Sequence, residues 1–372
     1  MKIALFNCNL RSIPPKKSGG IEKVINSLVD GFTAQGHSVT LFTTGDSLVK
    51  SGVEIVSVLD KELESSDLDD EAKNFLNKQA SLELGKILVQ RQYEFDIIHN
   101  HCINAVLPIL GDIKNTLVTT LHEFLTFETI DRLGFFHDLN YVSISYSQRK
   151  PFPDLNYVDN IYHGIDPKEY PLPTKPEDYL VFVGRISQQK NPHLAIQAAR
   201  RLGKKIYIIG KYKDDDVEHD YFNSVFLPCL KQNADYAEWI GELSGPELYK
   251  YLNKALASLH PVTVRESFGL AAVESAMCGC PPITFNHGAY VETVEEGKTG
   301  FIVEDVEEMV DKISNIDQID RDHCRSYVEN RFTVDIMVKQ YLKLYELLIA
   351  KSGQPLSSIG NNLLNSKHFK TF

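Results

Sequence analysis

The amino-acid sequence predicts an α/β chain of two Rossmann-like domains facing a cleft. Three observations carry this. Short β-branched runs alternate with helical segments through the first half, and the same alternation restarts in the second. Between the halves, Pro167, Pro171, Pro173 and Pro176 fall within ten residues; proline removes a backbone donor and fixes φ, so this stretch reads as a linker. The length, 372 residues, suits two domains. Strands joined through helices need crossover connections, which produce parallel sheets covered on both faces.

Element by element, Lys2–Asn7 reads as a buried first strand. A loop with Pro14, Pro15 and Gly19-Gly20 follows, and then Ile21, Val24, Ile25, Leu28, Val29 and Phe32 recur at helical spacing before Gly36. Val39–Thr43 and Glu54–Leu59 read as strands, residues 61–92 as a charged stretch that turns helical, and Phe95–His99, Thr116–Leu121 and Tyr141–Ser145 as further strands. Beyond the prolines, Tyr179–Val183, Lys205–Ile209, Glu238–Ile240, Ala257–His260, Pro282–Phe285 and Gly300–Val303 read as strands. Helices are expected around Leu194–Leu202, over Phe268–Met277 and from about Asp305 to Lys351, with 352–372 a loose tail.

Composition narrows the function. The chain is 43% hydrophobic and 24% charged, the profile of a globular protein. A net charge of −11 argues against a general nucleic-acid binder. No apolar run is long enough to cross a membrane, and the first strand is too short for a signal-peptide core. Six cysteines, at 8, 102, 229, 278, 280 and 324, are too sparse for a secreted disulfide framework, so a cytoplasmic location is expected. No GxGxxG, GxSxG or HExxH occurs, and Gly297-Lys298-Thr299 lacks a P-loop's first glycine, the position being Glu292. Asp214-Asp215-Asp216 reads as a solvated loop. His99, His101 and Cys102 offer ligand chemistry at a strand end, but no fourth ligand is near in sequence, and no metal is expected.

Four motifs carry chemistry. In Glu266-Ser267-Phe268-Gly269-Leu270-Ala271-Ala272-Val273-Glu274, two carboxylates are separated by seven residues with a helix starting between them. Free backbone N–H groups near Gly269 and Leu270 suit a phosphate, and the carboxylates suit sugar and ribose hydroxyls; the plainer alternative is a Glu266 that only complements the helix dipole. Gly184-Arg185-Ile186-Ser187-Gln188-Gln189-Lys190 follows a strand directly, and Arg185 with Lys190 could clamp a diphosphate as charge grows on a leaving group, or form an ordinary surface turn. Gly19-Gly20 permits close backbone approach to a ligand, or simply a turn. In Thr120-Leu121-His122-Glu123, His122 could contact a reacting sugar or acceptor, or be a satisfied structural histidine.

Taken together these residues resemble the retaining glycosyltransferases of the GT-B fold, family 4 (glycosyl transferases group 1), over Met1 to about Lys351. The Glu266–Glu274 stretch matches the family's E-x7-E pattern, and His260-Pro261, Ala276–Pro281 and Val294–Phe301 follow in the family's order. The resemblance implies an N-terminal acceptor-binding domain (1–170), a C-terminal nucleotide-sugar-binding domain (171–333) and a helix (334–351) that packs back across both. It implies that Arg185 and Lys190 bind the donor diphosphate and that Gly19-Gly20 approaches it. Glu266 would meet the donor sugar, the backbones of Phe268, Gly269 and Leu270 the phosphate and sugar, Glu274 the ribose and Leu243 the base, with His122 close to the donor sugar. The implied function is transfer of a hexosyl group from a UDP- or GDP-sugar to a hydroxyl acceptor with retention, in bacterial glycan, glycolipid or cell-surface polysaccharide synthesis. The partners are a nucleotide sugar and that acceptor, with no metal, no cofactor, no nucleic acid and at most peripheral membrane contact at the inner face.

The chain departs from the family at His163-Gly164-Ile165-Asp166, where the domain junction usually begins with Asn, at Asn191, where glycine follows the clamp lysine, and at His287, again a usual glycine. A sugar-nucleotide epimerase or phosphorylase on the same scaffold, or a nucleotide-sugar-binding module without activity, are the rival readings. Arg11, Lys16 and Lys17 form a small basic cluster that could meet a phosphorylated acceptor or be a solvated face, and the acidic Glu62–Glu71 stretch is unlike a membrane-binding helix.

Overall fold

The computed structural model describes residues 1–17, 19–103, 106–111, 113, 116–126, 129, 136–212 and 216–353. Its strands, β1 Lys2–Phe6, β2 Ser38–Phe42, β3 Glu54–Val56, β4 Ile97–Asn100, β5 Leu117–Thr120, β6 Asn140–Ser143 and β7 Tyr157–Asn160, form one sheet; β8 Tyr179–Val183, β9 Lys205–Ile209, β10 Ala237–Gly241, β11 Ala257–His260, β12 Pro282–Phe285 and β13 Phe301–Val303 form a second. Every recorded strand pairing is parallel. The orders, β3-β2-β1-β4-β5-β6-β7 and β10-β9-β8-β11-β12-β13, both run outward from the first strand and reverse beside it, at β1/β4 and β8/β11. A crevice opens at such a reversal, beyond the strands' carboxyl ends, and that is where ligands of doubly wound sheets bind. The central strands are near-continuous apolar runs because both faces are covered, as in β1, where Ile3 to Phe6 are all buried.

The helix Gly20–Ala34 buries Val24, Ile25, Leu28, Val29 and Phe32, one face at a 3.6-residue period. That face packs on the last helix, Val334–Ser352, whose Met337, Val338, Tyr341, Leu342 and Tyr345 belong to the first domain's core. The last helix begins at the junction, where Ile165 bridges Thr333 and the Gly164 N–H meets Met337 Sδ at 3.2 Å.

The structure corrects the sequence reading in three places. The helix expected from Phe268 begins at Leu270, because Gly269 sits at φ 86°, outside helical space. The expected run from Asp305 to Lys351 is interrupted: helices Val306–Ser314, Arg321–Glu329 and Val334–Ser352 are separately capped by Asp305, Asp320 and Thr333, whose side chains accept from free N–H groups of the first turns. Strand β7 was not foreseen; it is a half-buried edge strand of mixed polarity. The Asp214-Asp215 loop and the tail from 354 lie outside the described residues.

Candidate functional site: the cleft between the two sheets

The site is assembled on the β8/β11 reversal. Beyond β8, Arg185 is exposed and makes no hydrogen bond or ion pair with any described residue. Lys190 ion-pairs with Glu266, so two residues remote in sequence meet. Asn191 explains one departure from the family pattern. It adopts φ 49°, a conformation asparagine tolerates better than other side-chain-bearing residues. Its amide then donates to Pro261 O at 3.1 Å and Thr263 Oγ1 at 2.9 Å, tying the loop after β8 to the loop after β11.

The Glu266 loop is fixed from below. Glu266 bridges Gly288, and its carbonyl accepts from the Ala289 N–H at 2.8 Å. Gly288 has φ 75°, and a Cβ there would stand 2.2 Å from the Glu266 carbonyl oxygen, so only glycine fits. The Phe268 side chain is buried against Tyr162, His163 and Phe332, and Phe268 lines neither of the two cavities below. The Ala272 and Val273 N–H groups bond Gly269 O, whereas those of Leu270 and Ala271 have no backbone partner among the described residues. Two free N–H groups at a helix start can cradle an anion. On the same helix the buried Glu274 carboxylate accepts from Tyr170 Oη at 3.0 Å and pairs with Lys23 Nζ at 3.5 Å.

A cavity of about 200 Å³ joins these parts, with Gly19, Gly20 and Lys23 on one wall and Arg185, Leu243, Leu270 and Glu274 on the other. An adjoining cavity of about 260 Å³ shares Lys23, Leu270 and Glu274 and reaches Lys17 and Tyr170. Gly19 is extended, and a Cβ there would collide with Glu22 Oε2 at 2.7 Å and Pro15 at 2.8 Å. Lys211, also on the cavity wall, pairs at 2.5 Å with Glu64 of the first domain. Thus six of the sequence-derived residues, Arg185, Gly19, Gly20, Leu243, Leu270 and Glu274, line one cavity, while Lys190 and Glu266 pair with each other and Gly269 leads into the helix that carries Leu270 and Glu274.

His122 does not line that cavity, although its backbone meets the Glu266 loop at Ser267. It is buried in a string of imidazoles, Nε2 at 2.8 Å from His101 Nδ1 and Nδ1 at 3.3 Å from His163 Nε2, so both ring nitrogens are engaged. Its carbonyl accepts from Ser267 Oγ at 3.0 Å. His99 stacks on His101 and reaches Tyr345 Oη at 2.6 Å and Thr120 Oγ1 at 2.7 Å. Burial holds all four histidines below the ordinary imidazole range, His163 at about 3. Cys102 packs against Cys8, and among the described residues no group of three or more His, Cys, Asp or Glu could hold a metal. Two of the three basic residues are neutralised, Arg11 by Glu64 and Glu22 and Lys16 by Asp46 and Glu62, while Lys17 is exposed and lines the adjoining cavity. The acidic stretch therefore turns inward at Glu62, which is buried. Sequence reasoning missed Lys23, Tyr170 and Lys211; Lys23, one turn after Gly20, was the only one with a signal beside a recognised motif.

Residues 166–331 match the family model of glycosyl transferases group 1. The chain is 22% identical over 398 aligned residues to the putative glycosyltransferase YtcC of Bacillus subtilis, covering 95% of this chain and 94% of the relative. It is 28% identical over 276 residues to the capsular polysaccharide biosynthesis glycosyltransferase CapM of Staphylococcus aureus, covering 70% and 66%. The chain spans less than half the length of several other curated relatives it matches. Among solved structures, Anabaena HepE in complex with UDP and glucose superposes with a TM-score of 0.72 at 18% identity, covering 93% of this chain and 99% of that one. The fold is GT-B, that of two-domain glycosyltransferases. No described helix is long and apolar enough to cross a membrane.

Proposed function

We propose that this protein is a metal-independent glycosyltransferase that moves a hexosyl group from a UDP- or GDP-sugar to a hydroxyl acceptor with retention of configuration, in bacterial glycan, glycolipid or cell-surface polysaccharide synthesis in the cytoplasm. The observation that carries it is the Arg185 guanidinium, unpartnered among the described residues, on the wall of a cavity lined also by Glu274 and by Leu270 and Ala271, whose helix-start N–H groups have no backbone partner there, with the Lys190–Glu266 pair on the loops that follow the same sheet's strands. That set matches the charges of a nucleoside diphosphate and the hydroxyls of two sugars. The UDP-bound neighbour and the capsule-synthesis relative support the donor and the pathway.

In this reading the bond between C1 of the sugar and the diphosphate oxygen breaks, its electron pair staying on the phosphate. Arg185 and Lys190 stabilise that charge. The acceptor oxygen joins C1 on the same face, and its proton passes to the departing phosphate, so no protein base is required. Lys190 must first exchange Glu266 for phosphate, which frees the Glu266 carboxylate to accept from a sugar hydroxyl. The test is thermal unfolding with UDP, GDP and ADP and their sugar conjugates, with and without EDTA. One nucleotide family is expected to raise the midpoint by a few degrees, since ligand at about 100 times its Kd adds roughly 2.7 kcal/mol, and EDTA is expected to change nothing. No shift with any of them sinks the proposal.

A further inference from the structure

We propose that Tyr170, together with Lys23, holds the Glu274 carboxylate in the orientation that reads a ribose hydroxyl of the donor nucleotide. This rests on the assignment of Glu274 to the ribose above and adds what aims it. A carboxylate offers two oxygens and about four acceptor sites. In Glu274, Oε1 takes both protein partners, Tyr170 Oη at 3.0 Å and Lys23 Nζ at 3.5 Å, while Oε2 has no partner among the described residues and the residue lines both cavities. One oxygen is anchored and the other is left for a ligand.

The anchor is rigid. Tyr170 comes from the interdomain linker, is buried, and packs its ring on Tyr249 with centroids 4.3 Å apart. A tyrosine locked in this way presents its hydroxyl with few rotamers left to lose. Burial and the neighbouring Glu274 charge push the Tyr170 pKa well up, so the group stays a donor. Lys23 sits on the first domain's Gly20–Ala34 helix, so the carboxylate is gripped from the linker and from the opposite domain at once. Ribose recognition is thereby tied to the apposition of the two domains. Neither residue touches the reacting atoms; both are positioning residues.

The experiment is calorimetric titration of the full-length protein with UDP, GDP and ADP and with the 2′-deoxy and 3′-deoxy counterparts of whichever binds tightest. The wild type is compared with Tyr170→Phe, Lys23→Met and Glu274→Gln. The wild type is expected to prefer the ribonucleotide over one deoxy form by at least about tenfold. Tyr170→Phe keeps the packed ring and is expected to cut that preference at least threefold by weakening the ribonucleotide, with deoxynucleotide affinity within twofold of wild type; Lys23→Met moves the same way. If Tyr170→Phe weakens ribo and deoxy forms equally, or leaves the preference intact while Glu274→Gln abolishes it, the positioning role is overturned and the ribose assignment stands. If Glu274→Gln keeps the preference, the ribose assignment fails and this inference with it.

Discussion

At the scale of single residues, the site separates groups that hold the protein together from groups that wait for a ligand. Arg185 is exposed and unpartnered among the described residues, whereas Lys190 already neutralises Glu266. Removing the first therefore breaks no hydrogen bond or ion pair with a described residue; removing the second strands a carboxylate. Arg185→Ala is expected to leave the unfolding free energy within about 0.5 kcal/mol of wild type, as for surface changes away from special features. It is expected to lower kcat/KM at least about tenfold, since a charge-assisted hydrogen bond is worth roughly 1.5–3 kcal/mol. Steady-state kinetics beside a urea titration check both halves, and unchanged turnover would remove Arg185 from the clamp. The spacing of Arg185, Lys190, Glu266 and Glu274 was legible in the sequence because each follows a strand end or shares a helix. Tyr170 was not, because a linker tyrosine among prolines carries no pattern that distinguishes a donor from a packing ring.

At the scale of elements, the central strands could be read because they are buried on both faces and their apolar residues run on without interruption, and the edge strands β3 and β10 because they keep short apolar runs, Ile55-Val56 and Trp239-Ile240; β7 escaped because its Tyr157-Val158 is followed at once by Asp159-Asn160. The histidine string escaped for a different reason. His99 lies in β4 and His101 just after it, His122 follows β5, and His163 lies in the junction, so only the β4–β5 pairing and the return of the chain at the junction bring them together. His122 could be noticed alone, but not that its nitrogens face other imidazoles. The string makes stability depend on pH. Burial depresses the pKa of His99, His101, His122, His163 and also His260, so the folded chain leaves them neutral while the unfolded chain protonates near pH 6.5. The unfolded state then binds more protons, and stability is present above that pH and lost as pH falls below it. From pH 7 to 5.5 each such group costs about 1.3 kcal/mol, up to about 6 kcal/mol for the set. Urea titrations at the two pH values should show the midpoint fall steeply; equal midpoints would mean the imidazoles are accessible to protons in the folded state.

At the scale of the whole molecule, the loops that build the site are also the loops that join the domains. Glu292, just after the Gly288 turn, accepts from the backbone N–H groups of Tyr146 at 2.9 Å and Ser147 at 2.7 Å and from Tyr162 Oη at 2.9 Å. Ser145 Oγ donates to Ser267 O at 2.7 Å, and Ser147 Oγ to Gly288 O at 2.8 Å. One carboxylate of the second domain thus caps the short helix Tyr146–Arg149 of the first, beside the turn that fixes Glu266. Lys23–Glu274 and Lys211–Glu64 add two ionic contacts across the crevice. Domain apposition and the correct placement of Glu266 and Glu274 are therefore one equilibrium, and a ligand held by both walls must favour the closed arrangement by its differential affinity. Glu292→Ala removes three hydrogen bonds to a charged group, each worth roughly 1.5–3 kcal/mol, without touching the cavity wall. The nucleotide-free variant is expected to show a larger radius of gyration in X-ray scattering than the wild type. Its affinity for nucleoside diphosphate is expected to fall at least about fivefold, because part of the binding energy now goes to closure. Saturating nucleotide should return the radius to the wild-type value. A variant that scatters and binds as the wild type does would show that Glu292 is not what keeps the domains together, and would leave the Ser145–Ser267 and Ser147–Gly288 hydrogen bonds and the two ionic contacts across the crevice to do so.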